Sequence, residues 1–188
     1  MTAPIFVALL HENMVDKTGK EVTTSLTLND VQDLARSCKT YGVQTLYIVH
    51  PAAAMRKLAK RLMTHWISGY GSTYNEDRKN AIASVEIVSS LDEVIMSIET
   101  QTKSLPHLVA TSAHEGPSRT PFKTFSQSIQ SSKESFLIML GTGWGMNTNL
   151  LERAETTLEP INGPTPYNHL SVRSACAIIL DKILGRVS

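Results

Sequence analysis

Aromatic side chains, cysteine and net charge are all scarce in this sequence, and each shortage excludes something. Phe, Trp and Tyr make up 6% of the 188 residues, so the core has to lean on Leu, Ile, Val and Ala. The formal net charge is +1. That removes the broad electrostatic footprint of a nonspecific nucleic-acid binder, and any positive surface has to be local. The only cysteines are Cys38 and Cys176. Neither has a second Cys or His at metal-ligand spacing, so no metal site is expected. They read as small buried thiols of a reducing compartment. No run approaches the ~18 apolar residues of a membrane span. The apolar stretch Ile5–Leu10 is too short for a signal-peptide core. A cytoplasmic protein with no membrane partner is the expectation. Charged residues are 19%, below the roughly 25% of an average globular chain, which fits buried strands or a buried subunit interface.

What is present is alternation. Apolar runs of strand length alternate with segments of helical period, which argues an α/β fold with a largely parallel sheet. The expected strands are Ile5–Leu10, Gln44–Val49, Val85–Val88, Leu108–Thr111, Phe136–Leu140 and Thr157–Ile161. A polar hairpin turning at Asp16–Lys20 follows the first strand. The spacing of Val31, Leu34, Ala35 and Cys38 predicts a helix, with Asn29 as its N-cap and Gly42 as its stop. Pro51 can open a helix that buries Met55, Leu58, Ala59, Leu62 and Trp66. Further helices are expected near Asp77–Ala83, Leu91–Thr100, Pro121–Ser131 and Thr148–Ala154, with loops at Gly69–Asn75 and Thr111–Thr120. The last helix, His169–Gly185, is apolar around most of its girth, wider than the ~100° stripe of a surface helix. The sheet can cover one side, and a partner subunit is the simplest cover for the other. No repeat, low-complexity tract or linker is found, so one domain over 1–188 is expected.

The chemistry concentrates in loops that follow strands. Gly141-Thr142-Gly143-Trp144-Gly145 follows the strand Phe136–Leu140 and lets backbone amides approach a ligand. A dinucleotide fingerprint is one reading, and Glu159 lies near the distance of its ribose acid. Against it, Met146 occupies the place of the third glycine, and the next helix is short. A glycine-rich turn with no ligand is another reading. A second loop, LEPINGPTPYNHLSVRS (Leu158–Ser174), again follows a strand. With Thr111–Ala113 after LVAT, three loops suggest one pocket at the sheet's carboxyl edge.

These residues carry a resemblance. LIMLGTGWGM and the YNHLSVRSA block are similar to the second and third motifs of the SPOUT (α/β-knot) methyltransferases. TYGVQTLYIVHP and GYGSTYNEDR extend the likeness over nearly the whole chain. It resembles most a bacterial family of S-adenosylmethionine-dependent RNA methyltransferases related to the tRNA guanine-N1 methyltransferases. The resemblance implies a Rossmann-like, mostly parallel sheet flanked by helices and a C-terminal deep trefoil knot, which nothing in the pattern predicts. It implies S-adenosylmethionine as cofactor and a homodimer through the C-terminal helix. It also implies an RNA substrate, tRNA or rRNA, rather than DNA.

The cofactor would be held by Thr111, Ser112, Leu140, Gly141, Thr142, Gly143, Gly145, Ile161, Gly163, Tyr167, Asn168, His169 and Leu170. Leu140, Ile161 and Leu170 can wall an adenine. Neutral loops suit a sulfonium, which needs no phosphate cradle. Methyl transfer asks the protein to align a nucleophile and, where needed, to take its proton. Candidates are His11, Glu12, His114, Arg119, Asn168 and His169, with His11, Arg119 and His169 foremost. Many relatives place an arginine soon after the segment matching Thr111–Ala113, where this chain has His114 and only later Arg119. The catalytic acid of the guanine-N1 enzymes has no counterpart in Asn162–Asn168, so the target atom does not carry over. Asn168 can equally be the N-cap of the last helix.

A separate cluster, Arg56, Lys57, Lys60 and Arg61, followed by Arg78 and Lys79, is interleaved with Trp66, Tyr70 and Tyr74. That pattern suits RNA phosphates and base stacking; an ordinary solvated helix face is the plainer reading. A noncatalytic RNA-binding or assembly factor that keeps the fold is the alternative function. A nicotinamide oxidoreductase is the third.

Overall fold

The computed structural model describes residues 3–69 and 71–186. In chain order the elements are β1 (Ile5–Leu10), β2 (Met14–Val15), β3 (Glu21–Val22), α1 (Leu28–Thr40), β4 (Thr45–Val49) and α2 (Ala53–Ile67). Then come α3 (Gly71–Tyr74), α4 (Glu76–Ile82), β5 (Val85–Val88), α5 (Leu91–Thr102), β6 (His107–Ala110) and β7 (Arg119–Thr120). The chain closes with α6 (Phe122–Ser131), β8 (Phe136–Gly141), α7 (Thr148–Glu152), β9 (Thr156–Leu158) and α8 (Val172–Leu184).

Seven strands form one sheet in the order β5-β4-β1-β8-β6-β9-β7, while β2 and β3 pair as a separate hairpin. Each pairing within the large sheet is parallel. Parallel strands are buried on both faces, which is why they read as continuous apolar runs. Along β1, Ile5, Val7 and Leu9 enter one core, while Phe6, Ala8 and Leu10 enter the other. The first core is closed by side chains of α1, α2, α4, α6 and α8, the second by α5, α7 and the hairpin residue Met14. Leu10 lies level with Val49 and with Gly141, so the loops after β1, β4 and β8 leave from one edge.

Local chemistry moved several boundaries. Helix α1 is capped by Thr27, not Asn29. The Thr27 hydroxyl accepts from the Asp30 N–H and donates to the Asp30 carboxylate, a reciprocal pair like a capping box. Gly42 does end that helix, at φ +73°. Residues 71–74, expected as loop, are helical. Arg119–Thr120, also expected as loop, pairs with β9 as an edge strand. Strand β9 stops at Leu158 rather than Ile161, because Pro160 has no N–H to continue the ladder.

Helix α8 starts at Val172 with Ser171 as its cap, accepting from the Ser174 N–H. Asn168 is therefore not the cap. Packing of α8 on α1 and α6 buries Cys176, Ile179, Leu180 and Ile183, with Val172 and Leu184 against the same core. Much of the apolar girth assigned from sequence to a partner subunit is thus covered within the chain, while Ala177 and Ile178 stay half-buried. The same packing brings together the two cysteines. Both thiols are free and buried, and the neighbouring Cys176 together with burial pushes the Cys38 thiol well above its ordinary range.

Candidate active site

A cavity of about 610 Å³ opens at the carboxyl edge of the sheet. Its walls come from the loops after β6, β8 and β9, from the first turns of α8, and from the segment between β3 and α1. Of the residues proposed to hold the cofactor, Thr111, Ser112, Leu140, Gly141, Thr142, Gly143, Gly145, Ile161, Asn168, His169 and Leu170 line it. Gly163 and Tyr167 do not. An added Cβ at Gly163 would meet nothing within 4 Å, and Tyr167 is 72% exposed, its ring edge-on to His169.

The hairpin β2–β3 holds the glycine loop in shape. The Val15 N–H donates to Gly145 O at 2.9 Å, and the Trp144 N–H donates to Val15 O at 3.1 Å. Gly143 adopts φ +61° and Gly145 φ +108°, conformations that L side chains rarely take. A Cβ on Gly143 would also stand 3.0 Å from Thr24 Cγ2. On the opposite wall, the Thr111 hydroxyl donates to Met139 O, and the Asn168 side-chain amide donates to Ala113 O at 2.9 Å. Asn162 donates to the Glu115 carboxylate at 3.0 Å. The chain after β9 is thus tied twice to the loop joining β6 to β7. In the sheet, β9 lies between those two strands.

The catalytic candidates divide. His114 and His169 line the cavity and are exposed. His11 does not line it: it is fully buried behind Thr24 and Thr142. The Thr142 hydroxyl donates to Leu10 O at 2.9 Å, so it accepts from Thr24. Thr24 then accepts from His11 Nδ1 at 3.0 Å, which leaves His11 Nε2 buried without a partner among the described residues. Burial, and secondarily the nearby His50, lowers the His11 pKa to about 4, against a weaker upward pull from Asp30. It is a neutral support under the cavity floor. Glu12 faces away, toward the Leu91 N–H and the charges of Asp92 and Arg153; burial raises its carboxyl above the usual range. Arg119 folds back under Gly116 and donates to His114 O at 3.0 Å, so it braces this loop without lining the cavity.

Sequence reasoning missed Thr24, Ser25 and Asp30, all lining residues. Asp30 accepts from the Arg173 guanidinium at 2.8 Å and ties α1 to the start of α8. No local pattern marks these three; only the return of the hairpin brings them to the wall.

The cavity suits S-adenosylmethionine. Leu140, Ile161, Leu170, Val172 and Ile179 supply apolar wall, and the glycine loop supplies main chain. Among the described lining residues none is Lys or Arg, and the acids are Asp30 and Glu159. A cationic sulfonium matches that balance, whereas a pyrophosphate does not.

Comparison with known proteins agrees. Residues 4–185 match the family described as SAM-dependent RNA methyltransferase, and the chain belongs to that family. It is 38% identical over 182 residues to an uncharacterized protein of Aquifex aeolicus, covering 97% of this chain and 89% of that one. It is also 38% identical over 181 residues to a tRNA (guanine-N(1)-)-methyltransferase of Oleidesulfovibrio alaskensis. That match takes in 96% of this chain but spans only 42% of the relative's length. Among solved structures, the A. aeolicus TrmH/SpoU tRNA modifying enzyme shares the fold, with a TM-score of 0.56 at 17% identity, over 98% of this chain and 75% of that one. S-adenosylmethionine is the family's cofactor.

Proposed function

We propose that this chain methylates a nucleotide of a structured RNA, tRNA or rRNA, as a single SPOUT unit whose last segment forms the trefoil knot. The observation that carries the reading is the partly apolar cavity built from three strand-end loops, with the acids Asp30 and Glu159 and no Lys or Arg among its described lining residues. The place of β9 between β6 and β7, with the two side-chain ties from the segment after it to their connecting loop, supports the knot.

When bound, S-adenosylmethionine supplies a methyl group already activated on a sulfonium. Leu140, Ile161 and Leu170 would hold its adenine, the main chain of 141–145 and 168–170 its polar edges, and Glu159 would face its positive charge, since Asp30 is paired with Arg173. The residues at the mouth handle the acceptor. Trp144 is 52% exposed and edge-on to His169 at 6.2 Å between centroids, and Tyr167 is edge-on to the same imidazole at 5.3 Å. Three exposed rings beside the cavity offer a base a stacking platform. His114 or His169 takes the acceptor's proton where one has to leave, and Arg119 positions His114 through its carbonyl. A homodimer would cover Ala177 and Ile178 of α8 together with Leu170, which is 46% exposed. The protein works in the cytoplasm, where two free thiols persist; among the described residues no helix is long and apolar enough to cross a membrane.

Calorimetric titration with S-adenosylmethionine tests the site, alongside Ala175→Phe, which fills the cavity from α8. Saturable binding that weakens at least ~10-fold in the variant is expected, followed by transfer of labelled methyl groups to bulk bacterial tRNA or rRNA. Binding of NAD in place of S-adenosylmethionine would sink the reading.

A further inference from the structure

The chain carries 18 basic and 17 acidic residues. Four of the basic ones, Arg56, Lys57, Lys60 and Arg61, line a single shallow groove of about 460 Å³ along α2, together with Ala53 and Thr64. Without them the chain would hold 14 basic residues against 17 acidic. The positive charge missing from the net balance is gathered on this face.

Those charges are not spent on ion pairs. Among the described residues the ion pairs are Arg153 with Asp92, and Arg173 with Asp30 and Asp33. None involves α2. The carboxylate of Glu93, close enough to feel Arg56 and Lys60, is engaged by the Ser89 N–H at 2.9 Å. Lys57, Lys60 and Arg61 are exposed. Four like charges on successive turns repel one another, so the face is costly unless something neutralises it.

The groove also starts beside the cavity. The Arg56 guanidinium donates to His50 O at 2.9 Å and to Pro51 O. The Ala52 N–H donates to His50 Nδ1, so the His50 Nε2–H donates to Thr24 O at 3.1 Å, and Thr24 lines the cavity. The first turn of α2 is therefore fixed to the cavity wall. Base stacking, the other half of the sequence suggestion, is not supplied by Trp66. Its ring packs on the core and carries the Arg78 guanidinium 4.3 Å from its centroid. Tyr70 lies outside the described residues.

We infer that the outer face of α2 is a docking surface for the phosphate backbone of the RNA substrate, which enters the cavity along it. The face reads charge and not sequence, since it offers cations and few apolar or amide groups. The inference rests on the methyltransferase reading only for RNA as the partner.

The test is fluorescence anisotropy with labelled bulk bacterial tRNA over a salt series, comparing wild type with the triple variant Lys57→Ala, Lys60→Ala, Arg61→Ala. Arg56 is kept because it braces the His50 turn. The triple is expected to lose at least ~10-fold in affinity, with the log–log salt slope shallower by about 2. A second triple, Lys103→Ala, Lys123→Ala, Lys133→Ala, removes equal charge elsewhere and is expected to bind nearly as wild type. Equal loss in both triples, no loss in the first, or no binding of tRNA by wild type overturns the proposal. So does loss of phosphatidylglycerol-vesicle binding in the first triple with tRNA affinity unchanged. S-adenosylmethionine titration of the same samples keeps the two readings apart. Cofactor binding absent with tRNA loss intact breaks the methyltransferase reading alone; cofactor binding intact with tRNA affinity unmoved breaks this one alone.

Discussion

The cavity and the outer face of α2 are linked through Thr24, His50 and Arg56, yet they are built from opposite materials. One is glycine, apolar wall and backbone, with Asp30 and Glu159 as its acids. The other is four cations on one helix, held by no carboxylate among the described residues. A small cationic cofactor needs shape and close main-chain approach, whereas a polyanion needs exposed charge and little shape. Keeping them apart lets each be tuned without disturbing the other. It also explains how a protein with net charge +1 can serve a polyanionic substrate.

The comparison breaks most readily at Gly143. Gly143→Val forces a β-branched residue to φ +61° and places its Cβ 3.0 Å from Thr24 Cγ2. Strain in the loop, rather than a blocked cavity, is the expected mechanism. About 2 kcal/mol of stability should be lost, and cofactor affinity should fall at least ~10-fold. Urea unfolding and calorimetry measure the two, and tRNA affinity in the salt series should be unchanged. A parallel loss of tRNA binding would mean the two surfaces are not independent.

The wall beneath the cavity sets a pH dependence. His11 is neutral in the fold, with its pKa lowered from 6.5 to about 4. Above pH 6.5 it costs nothing. As pH falls toward 4 the unfolded chain gains a proton that the folded chain does not, so stability is lost. His11 alone accounts for about 2 kcal/mol between pH 7 and pH 5. Burial lowers His50 too, which adds in the same direction. Urea midpoints at the two pH values should show a shallower slope in His11→Gln, and an unchanged slope would place the sensitivity elsewhere.

The smallest effect sharpens the other side. Arg78→Ala removes the guanidinium over Trp66 and should cost about 0.5–1 kcal/mol, read as a lowered urea midpoint. Cofactor affinity should not move. A tRNA loss as large as that of the α2 triple would extend the docking face to α4.

Legibility followed the range of the interaction. The apolar runs of β1, β4 and β8 were plain, because a parallel strand buried on both faces hides no alternation. The glycine loop and the 158–174 loop were readable as a pocket because each combines flexible backbone with a preceding strand. Two errors were local. Thr27 capped α1 in place of Asn29 because Asp30 could answer it, and Pro160 cut β9 short. The larger ones were not local. His11 sits at a strand end, as a catalytic residue would, but its side chain turns under the floor. Trp66 was legible as an inward ring of α2, and it packs on the core; that Arg78 would cover it was not legible.

By itself the sequence determined the alternating elements, the strand-end loops and the concentration of charge on α2, since period, backbone freedom and composition are written residue by residue. Only the tertiary structure decided which of these meet. Asp30 reaches Arg173 across 143 residues, Thr24 joins Thr142 across 118, and Cys38 faces Cys176. Sheet order and helix packing choose such partners from the energy of the whole core, and no window of sequence contains that sum.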